Sequence, residues 1–235
     1  MITKKEILDA IHGKMIISCQ AVEDEPLYVE EKSIMYLMAR AAKQAGTPAI
    51  RTSSIRDVIA IKEETGLPVI GLVKIQYPGY EGFITPTMKE VDDLVAAGSD
   101  IVALDCTLRK RGDGSTVNEF IAQIREKYPD IILMADISNY EEGINAWKCG
   151  VDIVGTTMSG YTAYTSSVSD GPDYELMERL SRDINIPVIG EGRIHYPDQA
   201  VKALQTGAWA IVVGGAITRP LEIAMRFQNA IKESR

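Results

Sequence analysis

Short runs rich in Val and Ile recur along the chain, and the longer stretches between them carry the apolar spacing of helices. That alternation predicts βα units building a parallel sheet. Eight runs are expected as strands: Met15–Ser18, Ala49–Thr52, Val69–Lys74, Asp100–Asp105, Ile131–Asp136, Asp152–Thr157, Pro187–Glu191 and Ala210–Gly214. Each ends at or just before a polar residue or a glycine.

Helix start and stop signals fill the gaps. Thr87 stands ahead of Met88-Lys89-Glu90-Val91, and Glu90 completes the spacing of a capping box. Gly98 stops that helix, while Gly46, Gly150 and Gly207 stop others just before a strand, where a left-handed residue without Cβ strain is favoured. Gly66-Leu-Pro-Val-Ile-Gly71 and Asn185-Ile-Pro-Val-Ile-Gly190 echo each other four strands apart. The pattern predicts an α/β protein, a (β/α)8 TIM barrel forming one domain over residues 1–235, with an extra helix over Met1–Gly13 covering its bottom. An open doubly wound sheet would alternate in the same way, but the count of eight and the lack of an early G-x-G-x-x-G make it second choice.

Composition narrows the class. Apolar residues make up 46% of the chain and charged residues 25%, the balance of a protein able to bury a sizeable core. No apolar run approaches the roughly 18 residues of a membrane span, and Met1–Glu6 lacks the apolar stretch of a signal peptide, so a cytoplasmic protein without a membrane partner is expected. Cys19, Cys106 and Cys149 show no C-x-x-C spacing and read as reduced thiols. The net charge of -8 argues against a nucleic-acid partner while leaving room for a local basic pocket. His12 and His195 are the only histidines, which leaves no cluster for a zinc or iron site.

In a barrel the active face lies at the carboxyl ends of the strands. The residues there are Gln20, Arg51, Lys74, Asp105, Asp136, Thr156 with Thr157, Glu191 with Arg193, and Gly214 with Gly215. Each alone is equally a solvated loop residue or a structural charge; their convergence on one face is the stronger sign. Gly192-Arg193 and Gly214–Pro220 follow the seventh and eighth strands, where barrels bind phosphate on exposed backbone N–H groups and a helix start. Thr218 is expected to cap the last helix and Arg219 to add a charge-assisted contact; the alternative is two tight turns and a surface arginine. Lys74 follows a buried run, so its amine is expected to be partly desolvated and its pKa lowered, as suits a general base or a Schiff-base nucleophile. A structural salt bridge is the competing reading. Glu191 is its acidic counterpart, and Asp105 and Asp136 are either orienting groups or buried anchors. The loops Tyr77–Tyr80 and Gly160–Tyr164 either close over a ligand or pack on the rim.

Taken together, Ser18-Cys-Gln-Ala21, Ala49-Ile-Arg-Thr52, Gly71-Leu-Val-Lys-Ile75, Ala103-Leu-Asp-Cys-Thr107, Met134-Ala-Asp-Ile137, Val154–Tyr161, Gly190-Glu-Gly-Arg-Ile194 and Val213–Arg219 resemble the N-acetylmannosamine-6-phosphate 2-epimerase family over nearly the whole chain. One departure is Gly190, where an alanine is common. The resemblance implies Lys74 and Glu191 as the acid/base pair and Gln20, Arg51 and Asp136 as substrate-positioning residues, with Thr156 and Thr157 grouped beside them. It implies Gly192, Arg193, Gly214, Gly215 and Arg219 around a 6-phosphate. The implied reaction is a cofactor-independent inversion at C2 of N-acetylmannosamine 6-phosphate and N-acetylglucosamine 6-phosphate, in amino-sugar and sialic-acid catabolism. Competing readings are a class I aldolase with a Schiff base on Lys74, and a non-catalytic sugar-phosphate-binding barrel. A ribulose-phosphate-type epimerase would need metal ligands that the sequence lacks. The last helix, Leu221–Ile231, offers Leu221, Ile223, Ala224, Phe227 and Ile231 as an apolar stripe, through which a homodimer is expected.

Overall fold

Helices and strands alternate in the computed structural model, which describes residues 2–166 and 171–234. Their order is α1 (Lys4–Ile11), β1 (Met15–Ser18), α2 (Met35–Gln44), β2 (Ile50–Ser53), α3 (Ile55–Thr65), β3 (Val69–Leu72), α4 (Met88–Ala96), β4 (Ile101–Asp105) and α5 (Val117–Lys127). There follow β5 (Ile132–Asp136), α6 (Tyr140–Lys148), β6 (Ile153–Gly155), α7 (Tyr174–Asp183), β7 (Val188–Glu191), α8 (Pro197–Gln205), β8 (Ala210–Val213) and α9 (Pro220–Glu233). The strands are parallel and neighbour one another in sequence order; β8 returns to β1, Met15 beside Ile211 and Ile17 beside Val213, and closes the expected (β/α)8 barrel.

Three strands stop short of their expected ends, β8 by the single residue Gly214. β6 ends at Gly155, and β3 ends at Leu72 because the chain doubles back: Lys74 pairs with Ile84 in an antiparallel bridge. Around that bridge the Ile75 N–H donates to the Phe83 carbonyl at 3.0 Å and the Thr85 N–H to the Val73 carbonyl at 2.7 Å. Lys74 is therefore carried on a folded-back arm above the barrel wall.

Successive strand residues face opposite sides, which divides the apolar positions between two cores. Ile16, Ile70, Ile101, Met134, Ile153 and Val212 fill the barrel, while Ile17, Val69, Val102, Leu133, Val154 and Val188 pack outward under the helices. The leading helix α1 starts at a Thr3–Glu6 capping box and adds Ile7 and Ile11 to the inner core, so it plugs the bottom. Trp209 holds it there, its indole N–H donating to the Leu8 carbonyl at 2.9 Å. The Thr87 N–H donates to Glu90 at 3.0 Å as the capping box requires, and Gly98 closes α4 at φ +83°. Among the described residues no helix is long and apolar enough to cross a membrane.

Candidate active site

The inward parity of the strands continues past their ends and gathers polar side chains at the top. There a cavity of about 340 Å³ is lined by Gln20, Lys74, Thr157, Glu191, Arg193 and Arg219, with backbone from Gly192, Gly214 and Gly215. Apolar walls come from Phe83, Ile84 and Met158, none of which stood out in the sequence because apolar residues beside strands read as core.

Arg51 and Asp136 lie beneath this cavity rather than on its wall. The Arg51 guanidinium, fully buried, grips Asp136 with two bonds of 2.6 and 3.1 Å and reaches Glu191 Oε2 at 3.3 Å. Thr157 Oγ1 lies 2.6 Å from Asp136 and 3.3 Å from Glu191; it carries one proton, and the shorter bond takes it. Both groups expected to touch substrate thus brace Glu191 from below. Burial pushes the Glu191 carboxyl up to about 7, with Arg51 opposing and Asp136 adding to the rise. The opposite shift falls on Lys74, whose amine is lowered first by burial and then by the positive charges of Arg219 and Arg51. Among the described residues no carboxylate stands within ion-pair distance of that amine, so the salt-bridge reading of Lys74 does not hold.

Thr156 and Gln20 fall differently. Strand parity turns Thr156 away from the axis, where its hydroxyl donates to the Glu191 carbonyl at 2.9 Å and accepts from the Glu191 N–H at 3.0 Å. It does not reach the cavity, and it fixes the backbone of Glu191 instead. Gln20 does reach it: its Nε2 donates to Ser18 Oγ at 2.8 Å and leaves Oε1 buried at the wall with no partner among the described residues.

The other end of the cavity is basic and rich in glycine. Gly192 (φ +108°) and Arg193 (φ +54°) make a tight turn after β7, and Arg193 is held by the Gly171 carbonyl at 2.9 Å. A Cβ on Gly160 would stand 1.7 Å from the Arg193 guanidinium, so glycine is what lets that side chain lie across the β6 loop. Arg219 occupies the N-cap of α9 and pairs with Glu25 at 2.8 Å and Glu222 at 2.9 Å. Thr218 does not cap the helix as expected. It sits one residue too early, because Pro220 begins the helix, and its hydroxyl donates to the Ser18 carbonyl at 2.7 Å.

Asp105 is an anchor. It accepts from Thr107 N–H at 3.0 Å, Thr107 Oγ1 at 2.6 Å and Arg109 at 2.5 Å, outside the cavity wall. Cys19 and Cys106 are buried, and burial pushes the Cys19 thiol up to about 12 and Cys106 upward too, which keeps both from acting as nucleophiles. Of the aromatic loops, Tyr161 joins the cavity wall while Tyr77 packs on the rim, its hydroxyl donating to Glu90 at 2.8 Å.

A family model described as "Putative N-acetylmannosamine-6-phosphate epimerase" matches residues 35–233. The chain belongs to that epimerase family. It is 54% identical, over 98% of its length and 96% of the relative's, to a Caldanaerobacter subterraneus subsp. tengcongensis protein named "Putative N-acetylmannosamine-6-phosphate 2-epimerase". A Clostridium perfringens relative of the same name is 50% identical over 96% of this chain and all of its own. The solved N-acetylmannosamine-6-phosphate 2-epimerase from Clostridium perfringens superposes with a TM-score of 0.91 at 47% identity, covering 98% of each chain. Thiamine phosphate pyrophosphorylase from Pyrococcus furiosus shares the fold alone, with a TM-score of 0.59 at 19% identity over 94% of this chain and 96% of its own. In this member of the epimerase family, Gly190 faces outward from the barrel; a Cβ there would meet the flexible Met177 side chain at 2.9 Å, a clash that a thioether can relieve.

Proposed function

We propose that the chain interconverts N-acetylmannosamine 6-phosphate and N-acetylglucosamine 6-phosphate by deprotonation and reprotonation at C2, in amino-sugar and sialic-acid catabolism. The observation that carries this reading is a single cavity whose lining holds Lys74 and Glu191 together with Gly192, Arg193, Gly214, Gly215 and Arg219. Proton carriers and anion donors are thereby offered to one small hexose phosphate.

Opening of the sugar ring exposes a C1 aldehyde, which acidifies the proton on C2. The unprotonated Lys74 amine takes that proton, the C–H electron pair forms the C1–C2 double bond, and the carbonyl pair moves onto O1. The new Lys74 ammonium offsets the enolate charge. Protonated Glu191 then delivers a proton to the opposite face of C2, and the carbonyl re-forms with inverted configuration. An ammonium and a carboxylate remain, ready for the reverse reaction or for exchange with water. Burial serves both roles, since it favours neutral Lys74 and protonated Glu191. Arg51 and Thr157, themselves held by Asp136, steady the Glu191 carboxyl, Thr156 holds its backbone, and Gln20 Oε1 accepts a hydrogen bond from the substrate.

The same reading includes a single domain over residues 1–235, a cytoplasmic location, no nucleic-acid partner and a homodimer. Three free cysteines support the location and the net charge of -8 the lack of a polyanion partner. For the dimer the support is α9, which buries none of its residues and leaves Leu221, Phe227 and Ile231 exposed. Sedimentation should show a concentration-dependent dimer; a monomer at every concentration would overturn it. The activity is tested by incubating the protein with N-acetylmannosamine 6-phosphate in deuterium oxide and following the C2 and anomeric protons by NMR. Product bearing deuterium at C2 is expected, and no conversion would sink the epimerase reading.

A further inference from the structure

The phosphate end of the cavity holds an anion of the protein's own. Arg219 engages both terminal nitrogens, Nη2 with Glu25 at 2.8 Å and Nη1 with Glu222 at 2.9 Å. The Glu222 carboxylate also lies against Gly215, where a Cβ would stand 2.2 Å from its Oε2. Glu222 therefore fills space beside the very backbone that a phosphate monoester would approach, and it ties up the guanidinium that would bind it. A dianion and this carboxylate cannot share that end without strong repulsion.

We propose that Glu222 is a displaceable placeholder that leaves Arg219 when phosphate arrives, whereas Glu25 stays and holds Arg219 in its binding position. The two carboxylates differ in how they are tethered. Glu25 is fastened within its own turn: its Oε2 accepts from the Val22 N–H at 3.1 Å, and its N–H donates to the Val22 carbonyl at 2.8 Å. The Glu222 side chain is 41% exposed, and its bond to Arg219 is the only one it makes among the described residues. Standing at the third position of α9, it can swing toward the free N–H groups of the helix start, where a carboxylate is favoured. Displacement raises the threshold for phosphate binding and gives the leaving ligand a replacement partner for Arg219, so release is faster than it would be from a bare arginine.

This inference rests on the phosphate-binding reading of that end, and the experiment separates the two. Inorganic phosphate is titrated calorimetrically into the wild type, Arg219→Ala, Glu222→Gln and Glu25→Gln proteins at fixed ionic strength, with folding checked by circular dichroism. If the wild type takes no phosphate, or Arg219→Ala takes it equally well, the phosphate-binding reading itself falls. Given phosphate binding that depends on Arg219, Glu222→Gln should bind about fivefold tighter, the scale of a partly exposed ion pair, and Glu25→Gln should bind more weakly. Loss of a negative charge alone would tighten both variants alike. Equal tightening, or a Glu222→Gln protein that binds no better than wild type, would overturn the placeholder.

Discussion

Replacing Glu191 by glutamine should make the protein more stable at alkaline pH while abolishing most of its turnover. The folded carboxyl titrates at about 7 against an ordinary 4.5, chiefly because burial disfavours the charge. Between those values the folded state holds a proton that the unfolded chain has released, so stability falls as pH rises through the window and the loss is complete above about 7. At about 1.4 kcal/mol for each pH unit, the cost of keeping an ionised Glu191 reaches about 3 kcal/mol at pH 8.5 and stays below about 1 kcal/mol at pH 5. Glutamine keeps the size, and its amide can donate to Thr157 Oγ1, but it never ionises. With an unfolding entropy of about 2.1 cal/mol/K per residue, a chain of 235 residues should melt about 6 °C higher at pH 8.5 as the Glu191→Gln variant. Differential scanning calorimetry of both proteins at pH 5 and 8.5 reads this directly, and turnover measured alongside should drop about 10²- to 10⁴-fold. A melting difference that is the same at both pH values would refute the reasoning, because it would mean that the wild-type carboxyl titrates alike in the folded and unfolded chain.

Lys74→Ala should lose turnover by about 10²- to 10⁴-fold while leaving phosphate binding in place, since the two arginines and the glycine backbone that would take the anion are untouched by the substitution. Near-normal kcat in that variant would remove Lys74 from the mechanism. Arg219→Ala should do the reverse and appear mainly in KM, as steady-state kinetics with the sugar phosphate would show. The kcat/KM profile should be bell-shaped with one limb near pH 7 and the same shape in both directions, because either direction needs the Lys74–Glu191 pair to carry a single proton.

The barrel was legible because most strands announce themselves twice, once by a Val and Ile run and once by the glycine that stops the preceding helix, as Gly98 and Gly207 do at left-handed φ values of +83° and +94°, whereas the helices before β5 and β7 end at Tyr128 and Ile184 without one. The group of residues at the strand ends was legible for the same reason. What escaped was direction. Thr156 and Thr157 are adjacent, and only counting in twos from Ile153 shows that Thr157 faces the axis and Thr156 the helices. Arg51 and Asp136 have the correct parity, yet their depth depends on the surrounding loops, which no local pattern encodes; the grip of Arg51 on Asp136 at 2.6 Å spans 85 positions of sequence. Thr218 looked like a cap because it is a threonine before a helix, but the constraint of Pro220 moves the helix start one residue on. Glu25 and Glu222 gave no signal, being acidic residues in polar segments whose meaning comes from sharing Arg219.

The seam between β1 and β8 has a consequence for how the protein matures. Ser18 and Thr218, joined by a hydrogen bond, are separated by 200 positions, and the Trp209–Leu8 bond spans 201. Closing a loop of that length is among the costliest entropic steps in folding, and contacts of such separation slow it. Gly214, Gly215 and Arg219 follow the eighth strand, so they take their places only when that strand has met the first. On the ribosome, a chain arrested between residues 191 and 210 has most of the wall and both proton carriers but no eighth strand to complete the phosphate end. Ligand then binds only finished molecules, and by mass action it stabilises the closed barrel over every partly zipped intermediate.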